Sequence, residues 1–357
     1  MKLGIIGLPS SGKTTVFNAL TGQNLPTGIP AAPGRFEVHT AIADVPDARL
    51  APLTEMFRPR KTTSAKVTYA DIGGLQASIG REGLPGALAN QLGQMDGFVH
   101  VVRAFDDPAV PHPLDSVDPA RDLARLEDEF LLNDLLTVER RRARLAEERQ
   151  KVMRDRALVE REQVLFERLQ AILDSHQPLR AHAFTPDEQR LLSGFGLLTR
   201  IPMLVVVNLA EGGALPDLGA VGPGVSVLGL QGRLEMEIAQ LPEDERRAYL
   251  EEYGLPEAGR ERVLRVSYDL LGLLSFFTVG DDEVRAWTLP RGATALQAAD
   301  TIHTDLARGF IRAEVIPVDE LLQLGGLAEA RSTGRLRQEG KDYQVADGDV
   351  VHIKFNV

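Results

Sequence analysis

Cysteine is absent from the 357 residues of this chain. Disulfides and thiolate metal sites are thereby excluded, and the composition fits a reducing cytosol, so a cytoplasmic location is expected. Long hydrophobic runs are also missing; none approaches the length needed to span a bilayer, and no membrane partner is expected. The start, Met1-Lys2-Leu3-Gly4-Ile5-Ile6-Gly7, enters glycine-rich sequence too early for a signal peptide. Positive charge is in deficit: 40 Lys and Arg stand against 51 Asp and Glu, a net of -11. This argues against a uniformly basic nucleic-acid binder, and no DNA partner is expected, while a local basic patch stays open. What remains is an ordinary globular composition, 43% hydrophobic and 25% charged. The length predicts two or three domains.

Leu3 to Ile6 is a short apolar run closed by Gly7 and reads as a buried strand. A glycine-rich turn ends at Lys13, after which Val16, Phe17 and Leu20 recur at helical spacing, with Gly22 as the stop. Residues 23–36 are rich in Pro and Gly and read as a loop. Strands are predicted around Glu37–Ala43 and Lys66–Ala70. The continuous apolar runs Phe98–Val102 and Met203–Val207 read as strands buried on both faces of a parallel sheet, and Val225–Leu228 is a weaker case. Residues 113–196 differ: charge dominates, and apolar residues recur in helical steps. Leu123, Leu126 and Phe130 are spaced three and four apart, and Leu158, Leu165 and Ile172 seven apart. Two long helices in an antiparallel hairpin are predicted. No Gly or Pro lies between Arg121 and Gln177 to mark a turn, so one continuous helix is the competing reading. From about Phe276 the pattern changes again. Glu283–Leu289 alternates like a strand, Pro290-Arg291-Gly292 is a turn, and Thr294 is placed to cap a helix running to Leu306. Short strands follow near Ile311–Ile316, Tyr343–Val345 and Val350–Phe355, an order that fits a small mixed sheet packed on a helix.

Gly7-Leu8-Pro9-Ser10-Ser11-Gly12-Lys13-Thr14 matches the P-loop pattern at every required position. Two glycines let the backbone wrap so that its N–H groups converge on phosphate oxygens. The helix that begins there presents free N–H groups and its positive dipole end to the same anion. The phosphate cradle is expected to comprise Pro9, Ser10, Ser11, Gly12, Lys13, Thr14 and Thr15. Lys13 would reach the β- and γ-phosphates, and the Thr14 hydroxyl would ligate Mg²⁺, a hard cation that prefers oxygen.

Asp71-Ile72-Gly73-Gly74 ends a predicted strand. An acid there can hold the Mg²⁺, and Gly74 would let a backbone N–H sense the γ-phosphate. Asp-x-x-Gly alone is only a turn; its place after a P-loop and a strand gives it weight. Residue 75 is Leu, where a Ras-like enzyme places a water-orienting Gln. Leu75 cannot hydrogen-bond water, so slow turnover is expected, with Lys13, Gly74 and Leu75 as the catalytic positions. Gln76 to Gly86 reads as a switch loop.

Asn208-Leu209-Ala210-Glu211 directly follows the strongest late strand. GTP-binding proteins carry Asn-Lys-x-Asp in this place, the Asp accepting from guanine. Here Leu209 replaces the Lys and Glu211 is one methylene longer than Asp. That predicts relaxed base specificity or a preference for ATP. The competing reading is that Asn208 merely caps a following helix. Elsewhere, Arg140 to Arg156 holds eight Arg or Lys against three acids, a patch that could meet a phosphate backbone or simply be a solvated face with ion pairs. His100, inside an apolar strand, is expected to be a satisfied core residue, Trp287 part of the small sheet's core, and His303 a helix-ordering or RNA-contacting residue.

The residues resemble the Obg-like ATPase, or YchF, family over nearly the whole chain. The likeness includes Gly7 to Lys13, Phe17-Asn18-Ala19-Leu20-Thr21, Val45-Pro46-Asp47-Ala48-Arg49-Leu50, Asp71 to Leu75 and Asn208 to Glu211. It is strongest at Glu283-Val284-Arg285-Ala286-Trp287-Thr288, Ile302-His303-Thr304-Asp305, Gly309 to Val315 and Asp347-Gly348-Asp349-Val350 to Val357. The resemblance implies an α/β P-loop NTPase: a G domain with a doubly wound, mostly parallel sheet at 1–112 and 197–275, a helical coiled-coil insertion at 113–196, and a C-terminal β-grasp (TGS) domain at 276–357. It implies ATP and often GTP hydrolysis with Mg²⁺, a hydrophobic residue in place of the catalytic Gln, and a ribosome or structured-RNA partner. Leu228-Gly229 would be the guanine-loop counterpart. The chain departs from the family at Ser10-Ser11, where members carry Asn-Val. It departs again in switch I, where the metal-completing Thr falls on Arg35 or near Ile29, with Thr27 and Thr40 off register. These departures keep an alternative open, a non-hydrolysing nucleotide-binding adaptor.

Overall fold

The structure is a computed structural model that describes residues 1–28, 37–73, 84–148, 156–253 and 257–356. The chain begins β1 (Lys2–Ile6), α1 (Lys13–Thr21), β2 (Val38–Asp44), α2 (Leu50–Phe57), β3 (Lys61–Thr63), β4 (Lys66–Ile72), α3 (Gly86–Leu92) and β5 (Gly97–Ala104). Two long helices follow, α4 (Pro119–Glu148) and α5 (Arg156–Asp174), then α6 (Pro186–Leu192), β6 (Met203–Leu209), β7 (Val225–Leu230), α7 (Gly232–Gln240), α8 (Glu243–Glu252) and α9 (Gly259–Leu270). The last part runs β8 (Leu273–Thr278), β9 (Glu283–Pro290), α10 (Ala295–Ile302), α11 (Thr304–Arg308), β10 (Phe310–Pro317), α12 (Val318–Leu324), α13 (Leu327–Ser332), β11 (Arg337–Glu339) and β12 (Asp349–Phe355). Contacts divide the chain into two units: Met1–Ala41 with Thr68–Val266, and Ile42–Val67 with Ser267–Val357.

The first unit is built on a sheet of order β2-β4-β1-β5-β6-β7. β1 pairs in parallel with β4 and β5, β5 with β6, and β6 with β7. The central strands are apolar throughout because both of their faces are covered. One face carries α3 and α4, whose Leu88, Leu92, Leu126 and Phe130 pack with Ile6, Phe98, Val102 and Val205. Each such buried side chain contributes about 1.5–3 kcal/mol. α1 packs on α7 and buries Val16, Phe17 and Leu20. The first strand and its helix are therefore fixed on both sides, which is what holds the loop between them.

α4 and α5 pack together as a hairpin whose described parts are two separate helices; residues 149–155 between them lie outside the described residues. Its seam is Leu131, Val138 and Leu145 on α4 against Val159, Leu165, Phe166, Leu169 and Leu173 on α5. Of the expected Leu158, Leu165 and Ile172, Leu165 is buried in the seam and Ile172 packs against it, while Val159 rather than Leu158 is in the seam, joined at seven-residue spacing by Phe166 and Leu173. Arg141 forks onto Glu162 at 2.6 and 2.8 Å and reaches Glu148 at 3.0 Å, and Arg142 donates to Gln170. These two members of the basic run therefore tie the hairpin together. Asp134 of α4 accepts from Leu198 N at 2.9 Å, Thr199 N at 2.8 Å and Thr199 Oγ1 at 2.7 Å, fastening the hairpin to the turn that feeds β6.

The second unit is a sheet of order β11-β10-β12-β8-β9-β3. β12 runs parallel to β8 and β3 parallel to β9, while β10 is antiparallel to β11 and β12, and β8 to β9. α10 lies against it, burying Ala295, Ala298 and Ala299 among Phe276, Leu289, Val315 and Val351. Thr294 and Gln297 form a capping box, with Thr294 Oγ1 accepting from Gln297 N at 3.4 Å. The expected helix to Leu306 is broken at His303, which is extended and whose Nδ1 accepts from Asp305 N at 3.2 Å to start α11. Tyr343–Val345 forms a bridge from Gln344 to Thr294 rather than a strand. Residues 42–67 belong to this unit for a physical reason. Arg49 grips Asp47 at 2.9 and 2.8 Å and Asp347 at 2.8 Å, and it lies 5.1 Å over the Phe277 ring. No described helix is long and apolar enough to cross a membrane.

Candidate functional site

The site is assembled at the C-terminal edge of the parallel sheet, where such folds present ligands. β1 ends at Ile6, and α1 begins at Lys13. Between them the chain makes turns that side chains resist. At Gly7 (φ 147°) a Cβ would sit 2.3 Å from Val101 O; at Gly12 (φ 91°) it would sit 2.2 Å from Asn208 Nδ2. Ser10 is left-handed as well, at φ 60°.

The loop's carbonyls are turned toward side-chain donors. Lys13 Nζ donates to Gly7 O at 3.1 Å and Leu8 O at 2.9 Å. Arg103 Nη1 lies 3.4 Å from Ser10 O, and Asn208 Nδ2 3.0 Å from Ser11 O. C=O and N–H of a trans peptide point in opposite directions, so carbonyls held inward turn amides outward, the arrangement that receives an anion. Ser11 Oγ is buried with no hydrogen-bond partner among the described residues. Thr14 Oγ1 donates to Asp71 Oδ2 at 2.8 Å. Asp71 closes β4 beside β1, so neighbouring strands bring these two oxygens together. Two hard oxygen donors at the helix start fit a magnesium ion, which takes few protein ligands and leaves the rest of its shell to water and phosphate. Among the described residues there is no group of three or more His, Cys, Asp or Glu that could hold a metal by itself.

Burial lowers Lys13 to about 8, with Asp71 opposing that shift. Burial raises Asp71 above the ordinary carboxylate value, opposed by the Thr14 hydrogen bond and by Lys13. His100 corrects an expectation: neither ring nitrogen has a partner among the described residues. Burial, then Lys13 and Arg180, push it down to about 3, so its ring is neutral at physiological pH.

Pro9, Ser10, Ser11, Gly12, Lys13, Thr14 and Thr15 occupy the loop and the first turn of α1. Asn208 and Leu209 end β6, and Glu211 is exposed just beyond. Asn208 has both ends of its amide engaged, since its Oδ1 accepts from Gly232 N at 3.1 Å. It thus joins the phosphate loop to the start of α7. Leu209 packs over Gly229, with its Cδ1 2.9 Å from where a Cβ of Gly229 would be, and Leu228-Gly229 lies in β7 beside it. Gly74 and Leu75, and the switch-I positions Ile29 and Arg35, lie outside the described residues. Two features escaped sequence reasoning. Arg103, at the end of an apolar strand, signalled itself only by being charged there. The buried pair of His112 Nε2 and Asp122 Oδ2, 2.8 Å apart, had no spacing signal. Both imidazole nitrogens are in use, since Nδ1 accepts from Leu114 N at 3.1 Å.

A phosphate loop on the first strand of a parallel sheet, with a carboxylate on the tip of the adjacent strand, defines a P-loop nucleotide-binding domain of the G-protein type. A family model described as "50S ribosome-binding GTPase" matches residues 2–139. The model YchF-GTPase_C, described as "Protein of unknown function (DUF933)", matches residues 273–356. "Ribosome-binding ATPase YchF" of Bacillus subtilis (strain 168) is 38% identical across 99% of this chain and 99% of its own. Obg-like ATPase 1 of Oryza sativa subsp. japonica is 35% identical across 100% and 92%. The solved structure of the Schizosaccharomyces pombe YchF GTPase superposes with a TM-score of 0.81 at 28% identity, covering 99% of this chain and 97% of that one. The chain belongs to the YchF family.

Proposed function

We propose that this protein binds a purine nucleoside triphosphate with Mg²⁺ at Pro9–Thr15, hydrolyses ATP slowly with GTP as a second substrate, and reports its nucleotide state to the ribosome. The observation that carries the reading is the meeting of Thr14 Oγ1 and Asp71 Oδ2 at 2.8 Å beside Lys13. The relatives' name, ribosome-binding ATPase, supports the reaction and the partner. Thr14 and Asp71 would hold the metal ion, which when bound neutralises charge on the phosphate oxygens. Lys13 would leave the Gly7 and Leu8 carbonyls for the β- and γ-phosphates. Asn208, held by Ser11 O and Gly232 N, would fix the loop against the base-side edge, where Leu209, Glu211, Leu228 and Gly229 would meet the base. The roles of Gly74 and Leu75 rest on the sequence: Leu75 offers attacking water no hydrogen bond, which predicts low turnover. From the sequence we assign the nucleotide domain to 1–112 and 197–275, the helical insertion to 113–196 and the C-terminal domain to 276–357; by packing, residues 42–67 and 267–275 group with the C-terminal unit. The ribosome or a structured RNA is the proposed contact.

Phosphate release from ATP and GTP with Mg²⁺, with and without ribosomes, tests this reading. Turnover abolished by Lys13→Ala is expected; no release under any condition would leave a non-hydrolysing adaptor instead.

A pH dependence follows from Lys13. Its folded value of about 8 means the free site is cationic below that pH and loses its proton above it. A bound polyphosphate favours the ammonium, so it raises that value and binding takes up a proton at higher pH. The affinity should fall up to about tenfold per unit above pH 8. Titrations at pH 7 and 9 in buffers of different ionisation heat should show uptake of about a tenth of a proton at pH 7 and about nine-tenths at pH 9. Equal affinities at both values would contradict the assignment.

A further inference from the structure

Arg103 and Asn208 are direct partners across β5 and β6, and they reach consecutive carbonyls of the phosphate loop, Ser10 O and Ser11 O. Asn208 was expected near a nucleotide from its motif; Arg103 was not. Among the described residues its side chain is the largest that is fully buried, at 1% exposure. Its Nε donates to Phe105 O at 3.0 Å, and the guanidinium lies 4.5 Å from the Phe105 ring centroid. This fixes the fork in one orientation, with Nη1 aimed at Ser10. A guanidinium is charged at every accessible pH, and burying it is costly unless a counter-charge is near. Among the described residues no carboxylate lies within ion-pair distance of it; Asp106, Asp107 and Asp115 share with it the lining of a cavity of about 450 Å³ but make no ion pair with it. A methionine or leucine would fill the same space without that cost. The chain therefore keeps a buried, unpaired cation against the loop where a polyanion is to bind.

We propose that Arg103 is a positioning residue for the nucleotide: it holds the Ser10 carbonyl, and so the left-handed turn at Ser10, while the phosphates supply its missing counter-charge. Holding the Ser10 carbonyl aims the Ser11 N–H, which in the free loop closes only a long turn onto Leu8 O at 3.4 Å. Asn208 does the same for the next peptide. The two paired strand ends thus set two successive amides, and Arg103 adds a full positive charge beneath them.

This inference rests on the nucleotide-binding reading above, and the test separates the two. Calorimetric titration of the full chain with MgATP and MgADP would compare native protein, Arg103→Lys, Arg103→Met and Lys13→Ala. Arg103→Met keeps the volume and removes the charge; it should weaken MgATP by at least about tenfold, and MgADP by less because fewer charges are bound. Arg103→Lys keeps the charge but loses the fork, and should lie between, about three- to tenfold weaker than native. In steady-state hydrolysis KM should rise while kcat stays within about threefold, a split that a merely structural defect would not give. A folded Arg103→Met that binds MgATP within about twofold of native, or losses equal for Lys and Met, would overturn the proposal. If Arg103→Met does not fold, Arg103→Lys decides alone: affinity within twofold of native overturns it. Should Lys13→Ala also bind normally, the nucleotide site itself is misassigned; should Lys13→Ala lose binding while both Arg103 variants keep it, only this inference fails.

Discussion

Gly12→Ala is expected to weaken triphosphate binding by at least about 100-fold, close to 3 kcal/mol. The added methyl would lie 2.2 Å from Asn208 Nδ2, and the backbone there has φ 91°. An L side chain is strained in that region by about 1–2 kcal/mol. The clash cannot be relieved by swinging Asn208 away, because its amide is fixed at both ends, by Ser11 O at 3.0 Å and Gly232 N at 3.1 Å. One methyl therefore disturbs the loop, the end of β6 and the start of α7 together. The sheet core is untouched, so the variant should stay folded. Calorimetry and thermal unfolding on the same sample check both halves. Affinity within about threefold of native would mean that the loop and Asn208 are not locked as described.

Asp134→Ala should be the most destabilising of the single changes considered, at about 3–5 kcal/mol. Asp134 is fully buried and accepts from Leu198 N, Thr199 N and Thr199 Oγ1. Alanine would leave these three buried donors, and Asn133 Nδ2 3.3 Å from Asp134 Oδ1, without their acceptor, each costing about 1–3 kcal/mol. Domains of this kind are stable by only about 5–15 kcal/mol, so the loss is a large fraction of the total. It also reaches the site, since the turn at Leu198–Arg200 leads into β6 and thence to Asn208. Asp134→Asn, which keeps one acceptor oxygen, should lose about half as much. Urea unfolding measures both; a loss below about 1 kcal/mol for the alanine variant would show that other acceptors replace the carboxylate.

The strand–turn–helix geometry from Leu3 to Leu20 was legible in the sequence because its information is local. Gly7, Gly12, Lys13 and Thr14 are fixed by one turn between a strand and a helix, and no distant contact is needed to infer it. The place of Asp71 near the end of a strand was legible for a related reason, since the apolar run that precedes it is local. The parallel core showed itself in the unbroken apolar runs of β5 and β6. What could not be read depends on register between distant segments. Arg103 and Ser10 are 93 residues apart in the chain, and only the pairing of β1 with β5 brings them together. Asn208 was placed correctly at the strand end, but that its amide serves Ser11 and Gly232 is decided by the loop's three-dimensional path. In the hairpin seam only one position differs from the sequence pattern, Val159 in place of Leu158, because the two are similarly apolar and only the partner helix selects between them. Residues 42–67 join the C-terminal sheet through Arg49 and β3, and a three-residue strand has no periodicity to announce it.

Under the proposed function, main-chain amides of Ser10 to Thr14 and the Lys13 ammonium receive a triphosphate. Calorimetric titration of MgATP into the native chain and into Lys13→Ala decides whether they do. One site per chain is expected in the native protein, with affinity at least about 100-fold weaker without the ammonium. Equal binding by the two proteins, or none by either, would contradict it.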